Sequence, residues 1–132
     1  IVATDHAPHP AEDKECEWAG AANGMIGLET ALSVVQKTMV DTGLLNWSQV
    51  ADRMSITPAK IGRATGQGIE LAVGAPANIT IYDPNKSRVV VAEEQISKSK
   101  NTPFTGITLP GEVRHVFFKG KPTMISTEMV AR

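Results

Sequence analysis

Hydrophobic and polar positions change period part-way along the chain. Residues 1–66 open on IVAT, a short apolar run with the pattern of a buried strand. APHPAEDKECEWAGAANG, residues 7–24, has no period and carries two Pro, two Gly and several charges. It predicts a long loop, and long loops inside compact domains usually carry function. From Met25 to Val40, Ile26, Leu28, Leu32, Val35 and Met39 recur at three- and four-residue steps, predicting a helix. Leu28, Leu32, Val35 and Met39 form one stripe. Gly43 suits the left-handed turn that ends it. Asn46 is placed to cap a second helix, NWSQVADRM, with Gln49 at the capping-box position. Thr57-Pro58 predicts the start of a third, a capping hydroxyl followed by proline, which stops near Gly66.

The rest reads as strands. Asn78 to Tyr82 alternates and meets Asp83-Pro84-Asn85, a turn signal. SRVVVA predicts the next strand, SKSKNTPFTGITLPG a connecting loop, and EVRHVFFKGKPTMI a hairpin turning at Gly120-Lys121. About five strands are expected, and the change of pattern predicts two units, 1–66 and 67–132. A lone strand such as IVAT needs neighbours on both sides. With no initial Met, Ile1 reads as a truncation point.

Composition adds exclusions. The 132 residues are 42% hydrophobic and 20% charged, ordinary for a globular domain. A net charge of −1 leaves no footprint for nucleic acid or an anionic membrane. One cysteine excludes an intrachain disulfide and points to a reducing, cytoplasmic setting. No apolar run approaches a bilayer span. Cys16, flanked by glutamates, is a poor candidate for a reactive thiolate.

The chemistry-bearing cluster is Asp5, His6 and His9. A carboxylate directly after an apolar strand can ligate a metal or move protons, as residues at barrel strand ends do. Pro8 and Pro10 stiffen the loop. Equally, Asp5 can cap the turn, with the histidines as surface residues, because D-H-x-x-H is short. His115, mid-strand, is not expected to be a ligand. Trp18 in the loop and the methionines 25, 39 and 54 are read as packing residues.

Taken together, TDHAPH at 4–9, GMIGLET at 24–30, NTPF at 101–104 and GAPANITIYDP at 74–84 resemble the dihydroorotase family of the amidohydrolase superfamily. The resemblance covers nearly the whole chain but only the C-terminal third of that family. It implies an α/β fold: the C-terminal fragment of a (β/α)8 TIM-like barrel, with its last strand and helices, followed by strands of a small β-sandwich. It implies reversible hydrolysis of L-dihydroorotate to N-carbamoyl-L-aspartate, with two zinc ions per active site. Asp5 matches the catalytic, metal-binding aspartate, and His9 matches the histidine on the substrate carboxylate. The backbone of Ala22, Asn23 and Gly24 matches the loop that contacts the ring amide, although AAN stands where many members have proline. His6, next to Asp5, is expected to point the other way as structural support. Glu12 and Lys14 match the charged part of the loop and read as a solvated face.

The family's H-x-H pair, carboxylated lysine and two further metal-binding histidines are absent from these residues. The isolated chain is therefore expected to be inactive and to need its missing N-terminal portion. A homo-oligomer is expected. Two alternatives stand beside this reading. One is another cyclic amidase, a dihydropyrimidinase or allantoinase, for which a residue on a ring carboxylate has no use. The other is a catalytically dead relative that partners aspartate transcarbamoylase. An exposed apolar edge at 1–4 and an open face on the 25–40 helix are also expected.

Overall fold

The computed structural model describes residues 1–131. Its sheet comes from the second half of the chain: β1 (Ile79–Val89), β2 (Thr108–Phe118), β3 (Lys121–Ile125) and β4 (Glu128–Met129). All pairs are antiparallel, in the order β1-β2-β3-β4. The β2–β3 hairpin turns on Lys119 and Gly120, with φ of 51° and 78°. Two left-handed residues in succession match the twist of the flanking strands.

Among the described residues, four strands replace the five expected. Asp83-Pro84-Asn85 does not end a strand: it forms an irregularity within β1, between the pairs Asp83↔Glu112 and Ser87↔Pro110. The turn chemistry is real but local, since the Asn85 N–H donates to the Asp83 carboxylate at 3.0 Å. SRVVVA therefore continues β1 instead of starting a new strand.

The helical half holds α1 (Ala11–Lys14), α2 (Ala31–Val35), α3 (Trp47–Ala51) and α4 (Thr57–Ile61). A π-turn, Gln36–Val40, extends α2, and another, Asp52–Ile56, joins α3 to α4. The Asn46 capping box forms as expected: the Gln49 N–H donates to Asn46 Oδ1 at 3.0 Å, and the Asn46 N–H donates to Gln49 Oε1 at 2.9 Å. Thr57 does not cap a new helix. Ile56 before it is already helical, and the Thr57 hydroxyl donates to the Asp52 carboxylate at 2.9 Å. The wider π-turn lies directly ahead of Pro58, which has no N–H and crowds the preceding turn of a helix.

Two further expectations fail. IVAT forms no strand; the only pairing near it is a one-residue parallel bridge, His6↔Met25. A strand needs neighbours for its backbone groups, and among the described residues Val2 finds only the Arg53 carbonyl, at 3.0 Å. Ile1 is 61% exposed. The helix expected from Met25 begins at Ala31, and its apolar stripe is covered only at its middle, at Val35. Leu28 and Met39 are exposed, whereas Ser33, Val35 and Gln36 are buried. The covered face docks on the sheet through hydrogen bonds: Ser33 to the Gly111 carbonyl at 3.5 Å, and Gln36 Nε2 to the Pro84 carbonyl at 3.0 Å. Met25 is exposed too, so it and Met39 do not fill a core, and Trp18, 96% exposed, packs on nothing.

The core is small: Ile26, Val35, Val50, Val90, Ala92 and Leu109. Trp47, at the start of α3, packs on Tyr82 of β1 with ring centroids 5.5 Å apart. No helix among the described residues is long and apolar enough to cross a membrane.

Candidate functional site

The TDHAPH segment is held in place by its own histidine. His6 Nδ1 accepts the N–H groups of Gly27 (3.1 Å) and Leu28 (3.4 Å). The Ala7 N–H donates to the Met25 carbonyl at 3.0 Å. TDHAPH and GMIGLET are therefore one built unit, and His6 supports the backbone. A nitrogen that accepts two N–H groups is not free to bind a metal.

Asp5 stands between residues that are tied down. Its φ is 47°, a left-handed conformation that aspartate tolerates better than most residues. It is exposed.

His9 and Gly24 meet on the far side of the same segment. Gly24 has φ +120°, and a Cβ there would lie 2.6 Å from Ala7 Cβ and 3.5 Å from His9 Nε2. Only glycine combines that backbone with that approach. The loop ahead of it is fixed by hydrogen bonds. Lys14 Nζ donates to the carbonyls of Ala22 and, at 3.0 Å, Gly24. Asn101 Nδ2 donates to the Gly24 carbonyl at 2.8 Å, and the Asn101 carbonyl accepts from the Ile26 N–H at 3.1 Å. The Ala22 N–H donates to the Asp13 carbonyl at 2.9 Å. Asn23 between them is exposed. Lys14 is thus not the solvated face expected of it; carbonyls left without partners by the irregular loop draw its amine inward.

A cleft of about 630 Å³ opens beside this loop. His9 and Lys14 lie on one wall, and Glu93, Lys98 and Asn101 on the other. Asp5 does not line it. The second wall is anchored by Glu29 of the GLET motif, whose carboxylate accepts the N–H groups of Ile96 and Ser97, both at 3.0 Å. The Glu29 carbonyl in turn accepts from Arg88 at 3.0 Å. Charge-assisted bonds to two successive amides are a strong way to fix a loop without secondary structure.

A zinc centre needs several protein ligands per ion. Among the described residues, no group of three or more His, Cys, Asp or Glu could hold a metal. Asp5 supplies one carboxylate with no second ligand beside it, so these residues do not themselves fit a two-zinc centre.

The chain is 59% identical, over 129 residues and 98% of its length, to a dihydroorotase of Streptomyces coelicolor. A dihydroorotase of Leifsonia xyli is 50% identical over 95% of the chain. In sequence the chain is similar to dihydroorotases. It spans about 30% of the length of these dihydroorotase relatives, 30% of the first and 28% of the second. No family model matches it. Among solved structures, the L-hydantoinase (dihydropyrimidinase) of Arthrobacter aurescens superposes with a TM-score of 0.85 at 32% identity, over 96% of this chain and 29% of that one.

Sequence reasoning passed over Lys14, Glu29 and Asn101 as site builders. Glu29 and Asn101 sit inside the stretches that carry the resemblance, GLET and NTPF, but spacing does not say which backbone groups they reach. The structure places His9, Ala22 and Gly24 around one loop, but of these only His9 lines the cleft, and Asp5 lies outside it.

Proposed function

We propose that the protein carrying this chain is a dihydroorotase, which reversibly hydrolyses the cyclic amide of L-dihydroorotate to N-carbamoyl-L-aspartate. The observation that carries this reading is the 59% identity to a dihydroorotase over 98% of the chain. In it, residues 1–66 bring the last strand and helices of a (β/α)8 barrel, and residues 67–132 bring strands of a small β domain. Asp5 is the catalytic carboxylate, accepting a proton from the attacking water and returning it to the leaving ring nitrogen. Its exposure here leaves it free for groups contributed by other segments. It is also a metal ligand; zinc requires further ligands that these residues do not hold, and they come from sequence beyond them. His9 binds the substrate carboxylate, and the backbone of Ala22, Asn23 and Gly24 meets the ring amide. The enzyme works as a cytoplasmic homo-oligomer.

The likeness to a hydantoinase, at a TM-score of 0.85, favours one second reading: a cyclic amidase for rings without a carboxylate. Assay of the full enzyme with dihydroorotate against dihydrouracil separates the two. Preference for dihydroorotate is expected, and His9→Ala should raise its KM. Preference for dihydrouracil overturns the proposal. No turnover of either ring points to a dead partner of aspartate transcarbamoylase.

A further inference from the structure

We propose that Lys14 and Asn101 form a clamp that positions the Ala22–Gly24 backbone for substrate; the idea rests on the functional reading above. Three observations converge on it. Lys14 Nζ holds two carbonyls of the loop, Ala22 and Gly24, with a single cation. Asn101 Nδ2 holds the Gly24 carbonyl from the opposite wall at 2.8 Å, while its own carbonyl fixes Ile26. Both residues line the cleft that His9 also lines.

The consequence is geometric. Residues 21–24 have no helix or strand to set their direction. With the carbonyls of Ala22 and Gly24 turned toward Lys14 and Asn101, and the Ala22 N–H taken by Asp13, the N–H and carbonyl of Asn23 and the Gly24 N–H are the groups of the loop left for a ligand. A cyclic amide presents one donor and one acceptor side by side, and the N–H and carbonyl of Asn23 are the complementary pair. Lys14 and Asn101 touch the loop rather than the ring, so they are positioning residues. Because they share the Gly24 oxygen, the loss of one is partly covered by the other.

The test uses the full enzyme with Lys14→Met, Lys14→Arg, Asn101→Leu and the Lys14→Met/Asn101→Leu double variant. Losing a charge-assisted bond that orders the loop should raise the KM for dihydroorotate about ten-fold in Lys14→Met, with a smaller change in kcat. Lys14→Arg should restore much of the affinity. The double variant should lose more than the product of the single effects, since each single variant retains one holder of Gly24. Hydrogen exchange at the Ala22 and Ile26 amides, which are hydrogen-bonded to Asp13 and Asn101, should quicken in step. A residue that merely supports the fold would lower the melting temperature and leave KM unchanged. Unchanged KM in all variants, or unchanged exchange at these amides, overturns the clamp. Wild-type enzyme that does not turn over dihydroorotate overturns the functional reading instead, while the exchange measurement still decides whether the clamp orders the loop.

Discussion

The Tyr82 hydroxyl donates to the side-chain carbonyl of Gln36 at 2.7 Å and lies within 3.2 Å of the Pro110 carbonyl. This bond ties the helical half of the chain to its sheet at the point where Gly111 passes. Gly111 has φ +78°, and a Cβ there would overlap the Tyr82 hydroxyl and lie 2.5 Å from Gln36 Oε1. Gly111→Ala therefore strains the backbone and expels the tyrosine from its partners. The expected loss is about 3 kcal/mol or more, from left-handed strain together with a broken, partly buried hydrogen bond. Thermal melting of the full enzyme checks it; an unchanged melting temperature would show that Tyr82 has another place to go.

The same tyrosine predicts a pH dependence. Burial raises the Tyr82 pKa above its ordinary value of 10.0, the Asp41 charge adds to this, and Ser33 and Arg88 pull against it. The folded pKa thus exceeds the unfolded one. Its contribution to stability is complete below the unfolded pKa and is lost as pH rises through the folded value. Stability should fall above about pH 10 more steeply in wild type than in Tyr82→Phe, which cannot ionise. Tyr82 is the only tyrosine of these residues, so the difference spectrum between the two proteins isolates its tyrosinate.

Glu29 gives the third prediction. Its carboxylate accepts hydrogen bonds from the Ile96 and Ser97 N–H groups, and nothing in the 96–101 stretch is regular structure. Glu29→Ala should cost about 1.5–3 kcal/mol, the range for hydrogen bonds to a charged group. The loop should open before the rest of the protein does. Limited proteolysis checks this: cleavage near Lys98 and Lys100 should precede global unfolding in the variant and not in wild type.

How much of this was legible in the sequence follows from what each signal depends on. The Asn46–Gln49 capping box is complete within four residues, and it forms as expected. The β2–β3 hairpin is likewise local and turns at Lys119-Gly120, one residue from the expected place. IVAT and the Leu28–Met39 stripe are not local signals: each depends on neighbours packed against it. Their apolar pattern is genuine, but among the described residues only Val35 is covered, and Ile1, Leu28 and Met39 stay exposed. Lys14 was misjudged for a different reason: a lysine among acids on a loop looks solvated unless the carbonyls it reaches are known. TDHAPH and GLET were legible as motifs, while their joining through His6 Nδ1 needed coordinates.

Asp5 separates chemistry from support most cleanly. It is exposed and left-handed, whereas its neighbour His6 carries the hydrogen bonds that hold the segment. Asn has the same shape as Asp and the same tolerance for positive φ, so Asp5→Asn should leave the stability of the full enzyme within about 0.5 kcal/mol of wild type. If the carboxylate moves the proton between water and the ring nitrogen, turnover should fall by about 10²–10⁴-fold. His6→Ala should do the reverse in kind: the amides of Gly27 and Leu28 lose their acceptor, and stability drops by about 1–3 kcal/mol. Parallel measurement of melting and of dihydroorotate turnover distinguishes the two. Near-normal turnover in Asp5→Asn would remove Asp5 from the reaction and return it to a turn residue beside a structural histidine.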